Sequence, residues 1–268
     1  METKIKCNLL LVAVAILSFS ACEKNKNNTT DQVVSTETQT AKQEEPSSSN
    51  ETAKNTNPIG TSSVSGVITF SGSAPKVTKN PAATFPDCSA PKLDPNQLAI
   101  RVNDGKLMNT FVYVKSGLPK HNYEVPDSAV TLDQQHCAYI PRVLGIQVGQ
   151  PLEIVNSDTT LHNVHSLAKE SAPFNLGMPK KGMKLTKTFE KTETMVTMKC
   201  DVHPWMRAYI GVLDHPFFSV SAKNGSFKIE NLPEGEFVLE AWHEKLGTQT
   251  QSLKLGASET KTINFDFK

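Results

Sequence analysis

The chain has 268 residues, a formal net charge of +1 and a charged fraction of 21%. A balance so close to neutral does not favour binding to nucleic acid or to an anionic membrane surface. After residue 22 no apolar run is long enough to cross a membrane.

The amino-terminal segment predicts export. Residues 1–22 carry two early lysines and then the apolar run "NLLLVAVAILSFSAC", which is typical of a secretory signal. The end of this run, "FSAC", resembles the bacterial lipobox, although Phe19 stands where Leu is usual, and the resemblance implies acylation of Cys22. A lipid on Cys22 would tether the protein to the bacterial cell envelope, facing the periplasm or the exterior, without spanning the bilayer. Glu23 favours the outer membrane, and the alternative is an ordinary secretory signal with an incidental Cys22.

Residues 23–62 are almost wholly polar. Such a segment buries too little apolar surface to offset the entropy lost on ordering, so it predicts a disordered tether. The remaining residues, 63–268, are enough for one large or two small domains.

Short strand patterns separated by Gly, Pro and Asn turns fill this remainder and predict an all-β sandwich or barrel. The turn "NDG" at residues 103–105 predicts a hairpin. The predicted strands lie within residues 65–72, 97–102, 106–117, 143–158 with a turn at 149–151, 183–191, 193–199, 208–216, and 225–247 with a turn at 233–235.

The cysteine count indicates one spare thiol. The chain has five cysteines, of which Cys7 leaves with the signal and Cys22 carries the lipid. Three remain, and outside the cytoplasm thiols tend to be paired. The economical division is a Cys88–Cys137 disulfide with Cys200 kept for a metal, although parity alone does not fix the connectivity.

A candidate ligand set comes from two segments, "NSDTTLHNVHS" (156–166) and "MKCDVHPWM" (198–206). Two imidazoles, a thiolate and a weak axial thioether form the trigonal ligand set of a blue-copper electron-transfer centre. These ligands would be His162, His203, Cys200 and Met206. His165 is a rival to His162, but strand alternation places the two on opposite faces, so we expect only one to bind.

The same segments resemble the two ligand motifs of the cupredoxins, the family of plastocyanin and amicyanin. The resemblance covers residues 97–215 and implies a Greek-key β-sandwich with one type 1 copper at one end. It implies that Asn163 ties the two ligand loops together and that the ring edge of His203 lies near the surface as the electron exit. Trp205 inside the ligand loop departs from the family pattern, and with Pro204 it is expected to form part of a docking patch.

The chain ends resemble the first and last parts of carboxypeptidase-regulatory-like, or prealbumin-like, β-modules. Residues 63–96 and 216–268 either form one such module around an inserted cupredoxin or add β extensions to its flank.

Three functions are compatible with these features. The favoured one is an electron carrier rather than an enzyme, with a redox partner such as a cytochrome c or a respiratory-chain component. No hydrolase or phosphate-loop motif occurs in the chain. The alternative is a protein that delivers or sequesters Cu(I) without redox turnover, and the third is a structural or adhesive β-domain that binds no metal.

Overall fold

The computed structural model describes residues 59–73, 80–88 and 97–268. The predicted signal, Cys22 and nearly all of the predicted tether lie outside the described residues. The described chain is all-β, as predicted, with two short 3₁₀ helices, Pro81–Thr84 and Pro86–Cys88. The first strand already includes Ser62, the last residue of the predicted tether. No helix among the described residues has the length and apolar character needed to span a membrane.

The strands are numbered in chain order as β1 (Ser62–Phe70), β2 (Val102–Asn103), β3 (Lys106–Leu107), β4 (Phe111–Ser116), β5 (Val130–Gln135), β6 (Ala138–Ile140), β7 (Val143–Gln147), β8 (Leu152–Asn156), β9 (His162–Ser166), β10 (Phe174–Met178), β11 (Lys184–Lys187), β12 (Glu193–Lys199), β13 (Arg207–Leu213), β14 (Phe218–Val220), β15 (Ser226–Leu232), β16 (Gly235–His243), β17 (Gly247–Leu255), β18 (Thr260–Thr262) and β19 (Phe265–Phe267).

The middle of the chain forms a two-sheet sandwich. One sheet has the order β10-β9-β12-β13-β7 and the other β11-β8-β5-β6. Alternate residues of each strand point inward, so that Leu152 and Ile154 of β8 meet Val164 of β9 and Ile210 of β13 in one hydrophobic core. The sandwich therefore supports the ends of β9 and β12, from which the candidate ligands extend.

The two chain ends build a second pair of sheets together. Strand β1 pairs with β15, β3, β18 and β19, while β4 pairs with β14 and β16. Val64, Val112 and Phe265 share one hydrophobic core. Strands β2 to β4 lie inside the predicted cupredoxin range of 97–215, yet β3 and β4 pair with chain-end strands and β2 pairs with β3. The end sheets are thus completed by residues 102–116.

Some predicted strands differ from the observed ones. Of the predicted strand 97–102 only Val102 lies in a strand, and the predicted strand 106–117 is interrupted at Asn109, where φ is 58°. The turn at 149–151 does join two strands, but β7 and β8 belong to different sheets, so this turn crosses the sandwich instead of closing a hairpin. Periodicity reports which face of a strand is buried, and it does not report which strand is the neighbour.

Two paired glycines let an aromatic side chain pack between the sandwich and the chain-end sheets. Gly145 of β7 lies opposite Gly211 of β13. The ring of Phe111 rests against both, with its centroid 5.5 Å from that of Phe218. A Cβ at Gly211 would lie 2.4 Å from the Phe111 ring. Glycine is therefore required here for close packing.

We expect Gly211→Ala to lower the free energy of unfolding by about 1–3 kcal/mol, because a methyl group would overpack this contact. Gly177→Ala is the matched control, since a Cβ at Gly177 would meet no atom within 4 Å. Urea unfolding of both variants measures the difference. Equal stability of the two variants would contradict the packing assigned to Phe111.

Candidate metal centre

The candidate ligands meet at one end of the five-stranded sheet. His162 is the first residue of β9, and Cys200 directly follows the last residue of β12. These strands are antiparallel neighbours, with Lys199 opposite His165, so the start of one lies beside the end of the other. His203 and Met206 lie in the loop that leads from β12 to β13. Residues distant in sequence are thus brought together by strand pairing.

Three ligand atoms converge there, in a place closed to solvent. The Nδ1 atoms of His162 and His203 are 3.0 Å apart, and the Cys200 Sγ lies 3.8 Å from the His203 Nδ1. One ligand atom from each of the three residues lies within 4.8 Å of the others. His162 is 0% exposed, Cys200 1% and His203 2%. The three donors therefore form a buried triangle.

The size of this triangle fits a metal ion. Metal–imidazole bonds of about 2.0–2.1 Å and a metal–thiolate bond of about 2.3 Å, arranged at 120°, place two nitrogens about 3.6 Å apart and sulfur about 3.8 Å from nitrogen. The sulfur–nitrogen separation in the structure matches this value, and the nitrogen–nitrogen separation is shorter by about half an ångström. Two imidazole lone pairs facing each other at 3.0 Å repel unless a cation or a proton lies between them.

Asp158 orients the first imidazole. Its Oδ2 accepts a hydrogen bond from the His162 Nε2 at 2.9 Å. A proton on Nε2 leaves the Nδ1 lone pair free to face the other donors, which is the usual arrangement of a metal-ligating histidine. Burial acts to lower the pKa of His162, but the hydrogen bond to Asp158 and the interaction with Cys200 outweigh it and raise that pKa.

The surroundings of Cys200 favour its thiolate. Burial acts to raise the pKa of Cys200, but the hydrogen bond with His162 and the backbone N–H groups of Asn163, His203 and Val202 together lower it. The His203 N–H donates to the Cys200 Sγ at 3.4 Å. Because the thiolate is the form that binds metals, this environment suits a ligand.

Burial also keeps the second imidazole neutral. Removal from solvent and the nearby His162 lower the pKa of His203 to about 4. At neutral pH its ring therefore offers a nitrogen lone pair rather than a positive charge.

Asn163 connects the two ligand loops. Its Oδ1 accepts a hydrogen bond from the Asp201 N–H at 2.6 Å and lies 3.3 Å from the Cys200 Sγ. Its Nδ2 donates to the Asn175 Oδ1 at 2.6 Å. Through these bonds the Asn163 side chain connects β9 to β10 and to the loop that carries Cys200.

Met206 closes the ligand loop. Its N–H donates to the His203 carbonyl at 2.9 Å, and its carbonyl accepts from the Cys200 N–H at 3.3 Å. The residue is 1% exposed and lies in the same hydrophobic core as Cys200. A two-sheet sandwich carries this loop and His162 together at one end. The fold is cupredoxin-like.

Comparisons with known proteins give partial structural likenesses. No family model matches the chain, and no curated protein matches it. Among solved structures, a copper-containing nitrite reductase from Thermus scotoductus SA-01 is 23% identical over 38% of this chain and 26% of that one, with a TM-score of 0.31. The chain therefore spans about a quarter of that protein.

Two amicyanin structures are also similar. A reduced amicyanin variant is 30% identical over 33% of this chain and 86% of that one, with a TM-score of 0.30. The Cu(I) form of another amicyanin variant is 27% identical over 38% of this chain and 97% of that one, with a TM-score of 0.29.

The second imidazole is covered, contrary to the expectation that its ring edge lies near the surface. The ring centroid of His203 lies 5.4 Å from that of Phe85 and 5.2 Å from that of Trp205. Phe85 belongs to the segment 80–88, which the Cys88–Cys137 disulfide fastens to the sandwich. The expectation was wrong because this segment, absent from the resemblance, packs over the ligand loop. The disulfide itself is present as inferred from parity.

His165 stays outside the triangle. Its Nδ1 lies 2.9 Å from the Asp201 Oδ2, and its side chain is 26% exposed. The structure thus separates the two histidines of "HNVH" as strand alternation predicts.

The sequence interpretation missed two residues of the centre. Asp158 lies four positions before His162 in the segment 156–166. That short spacing could have predicted a hydrogen bond between the two side chains. Phe85 is far from the ligands in sequence and has no motif, and only the tertiary structure reveals it.

Proposed function

We propose that the chain holds one type 1 copper through His162, Cys200, His203 and Met206 and carries single electrons. The proposal rests mainly on the buried triangle, in which Asp158 leaves the His162 Nδ1 free and the Cys200 environment favours a thiolate. Copper bound by such a set supplies a one-electron couple tuned by its axial ligand. The protein contributes fixed donors and a site closed to water.

An apolar surface surrounds the centre and suits a redox partner. Leu161 and Val202, which precede the two ligand histidines, are 46% and 40% exposed, and Phe85 is 37% exposed. We propose that a cytochrome c or a respiratory-chain component docks there, and that a lipid on Cys22 holds the protein in the bacterial envelope. Electrons would then leave through Phe85 or Trp205 and not from an exposed imidazole edge.

Cu(I) delivery or sequestration is the second candidate. The observation in its favour is the cover formed by Phe85 and Trp205 over His203, which lengthens the path between the ligands and a partner. A covered site suits retention of an ion better than rapid exchange of electrons.

One titration tests both candidates. Residues 53–268, which form one compact unit, receive one equivalent of Cu(II), and visible absorption and electron paramagnetic resonance spectra are recorded. We expect an intense thiolate-to-copper band and a narrow copper hyperfine splitting. A colourless protein that binds Cu(I) tightly would favour copper handling. Absence of any binding would contradict both and leave the structural or adhesive role.

We expect Asp158→Asn to weaken copper binding by about 10–100-fold, because an amide neither holds the His162 tautomer as firmly nor supports the bound imidazole with a negative charge. Competition with a chelator of known affinity measures the change. Asp127→Asn serves as the control, since this carboxylate is exposed and lies in the loop before β5. Equal affinities of the two variants would contradict the role given to Asp158.

A further inference from the structure

The Cys88–Cys137 disulfide lies against the candidate copper ligands. The two sulfur atoms and a ring nitrogen of His203 all lie within 4.8 Å of one another. Cys88 is 3% exposed and Cys137 is 0% exposed, so this cluster is closed to solvent. Two sulfurs and an imidazole are a soft donor set as soon as the sulfurs are thiolates.

The backbone holds Cys137 in place independently of the disulfide. Its N–H donates to the Asp158 Oδ2 at 2.9 Å, and its carbonyl accepts from the Trp205 Nε1 at 2.9 Å. Opening the sulfur–sulfur bond breaks neither contact. These contacts hold the backbone of Cys137 beside His203 without the cross-link, and the Cys137 thiol would lie within reach of that imidazole.

Packing keeps the other sulfur nearby. The Cys88 N–H donates to the Phe85 carbonyl at 3.0 Å. The Phe85 ring in turn lies 4.8 Å from the Trp205 ring and 5.4 Å from that of His203. These contacts anchor residues 80–88 over the centre without the cross-link.

We propose that Cys88, Cys137 and His203 form a second, redox-controlled site for Cu(I). A dithiol reductant transfers two electrons and two protons to the disulfide and is itself oxidised to a disulfide. Binding of Cu(I) then releases the two thiol protons, and the thiolates take the ion together with the imidazole. This site requires neither Cys200 nor the type 1 arrangement, so it goes beyond the proposed electron carrier.

The test uses the full chain with Cys7, Cys22 and Cys200 all changed to serine, so that Cys88 and Cys137 are the only cysteines. A phosphine reduces the disulfide, becoming the phosphine oxide with oxygen from water, and is removed. Cu(I) is then offered in competition with a chromophoric Cu(I) chelator. We expect the reduced chain to take one equivalent of Cu(I) more tightly than the oxidised chain, in which only His162, His203 and Met206 remain as donors at the neighbouring centre.

Two further substitutions identify the ligands. His203→Phe is expected to lower the Cu(I) affinity of the reduced chain by about tenfold or more. Loss of a residue that only hydrogen-bonds to a metal ligand already lowers metal affinity by about that factor, and loss of a ligand should lower it at least as much. His165→Phe, at a partly exposed imidazole outside the cluster, is the matched control and should leave the affinity unchanged.

Several results would overturn the proposal. One is uptake by the reduced chain no greater than by the oxidised chain. Another is uptake that persists in concentrated urea or does not depend on His203, because unfolded thiols would then be the ligands. A reduced chain that is unfolded by circular dichroism, and that Cu(I) does not refold, would also contradict it. Failure of the type 1 centre is a separate result, visible as a missing absorption band in the unmodified chain.

Discussion

Changing Cys200 to serine is expected to abolish the intense visible absorption of the Cu(II)-loaded protein. The band of a type 1 centre arises from charge transfer between a thiolate and copper, and an alcohol oxygen does not supply it. Among the described residues Cys200 is the one free cysteine, and it is buried within the triangle. Visible and electron paramagnetic resonance spectra of the variant, recorded at one equivalent of Cu(II), test the expectation.

Met206→Leu is the matched control for this result. Leucine has nearly the volume of methionine, so the loop keeps its packing, while the axial thioether is lost. The visible band should therefore remain, and the reduction potential should shift, since the axial ligand tunes it. A band that survives Cys200→Ser would mean that another sulfur binds copper. Loss of the band in Met206→Leu would show that Met206 is needed to form the centre and is not only a weak axial ligand.

Some strands and turns were predicted well because their patterns are local. The segment 193–199 coincides with β12, and the turn at 103–105 joins β2 to β3 with positive φ at Asp104 and Gly105. Both signals depend on alternation or on turn chemistry over a few residues. Pairing partners are set by the whole chain, which explains why β4 was placed with the sandwich although it pairs with β14 and β16.

The convergence of the candidate ligands could be predicted for a related reason. Cys200, His203 and Met206 share one loop, and His162 follows a recognisable strand and polar turn. The cover over His203 could not be predicted, because Phe85 reaches it through a disulfide and ring packing and not through any repeated spacing. A resemblance to a minimal cupredoxin therefore implied an exposed imidazole edge that this chain does not have.

Removing the disulfide should have the largest effect on stability. Its cysteines are 49 residues apart in sequence, and closing a loop of that length in the unfolded chain corresponds to about 4 kcal/mol at 25 °C in the chain-entropy account. We expect the double variant Cys88→Ala and Cys137→Ala to lose roughly that much free energy of unfolding. Urea unfolding of the metal-free protein, with the midpoint and the slope both fitted, gives the value.

The same double variant separates the role of the cover from that of the ligands. The backbone at position 137 keeps its contacts to Asp158 and Trp205 after the substitution, and Cys200 is untouched, so the copper band should remain in the folded variant. The packing of Phe85 on Trp205 and His203 still holds residues 80–88 over the centre, but without the cross-link this cover opens more often, so copper should exchange faster with an added chelator. A loss of stability below about 1 kcal/mol would mean that packing alone fixes this segment. Unchanged copper exchange would mean that Phe85 does not control access to the centre.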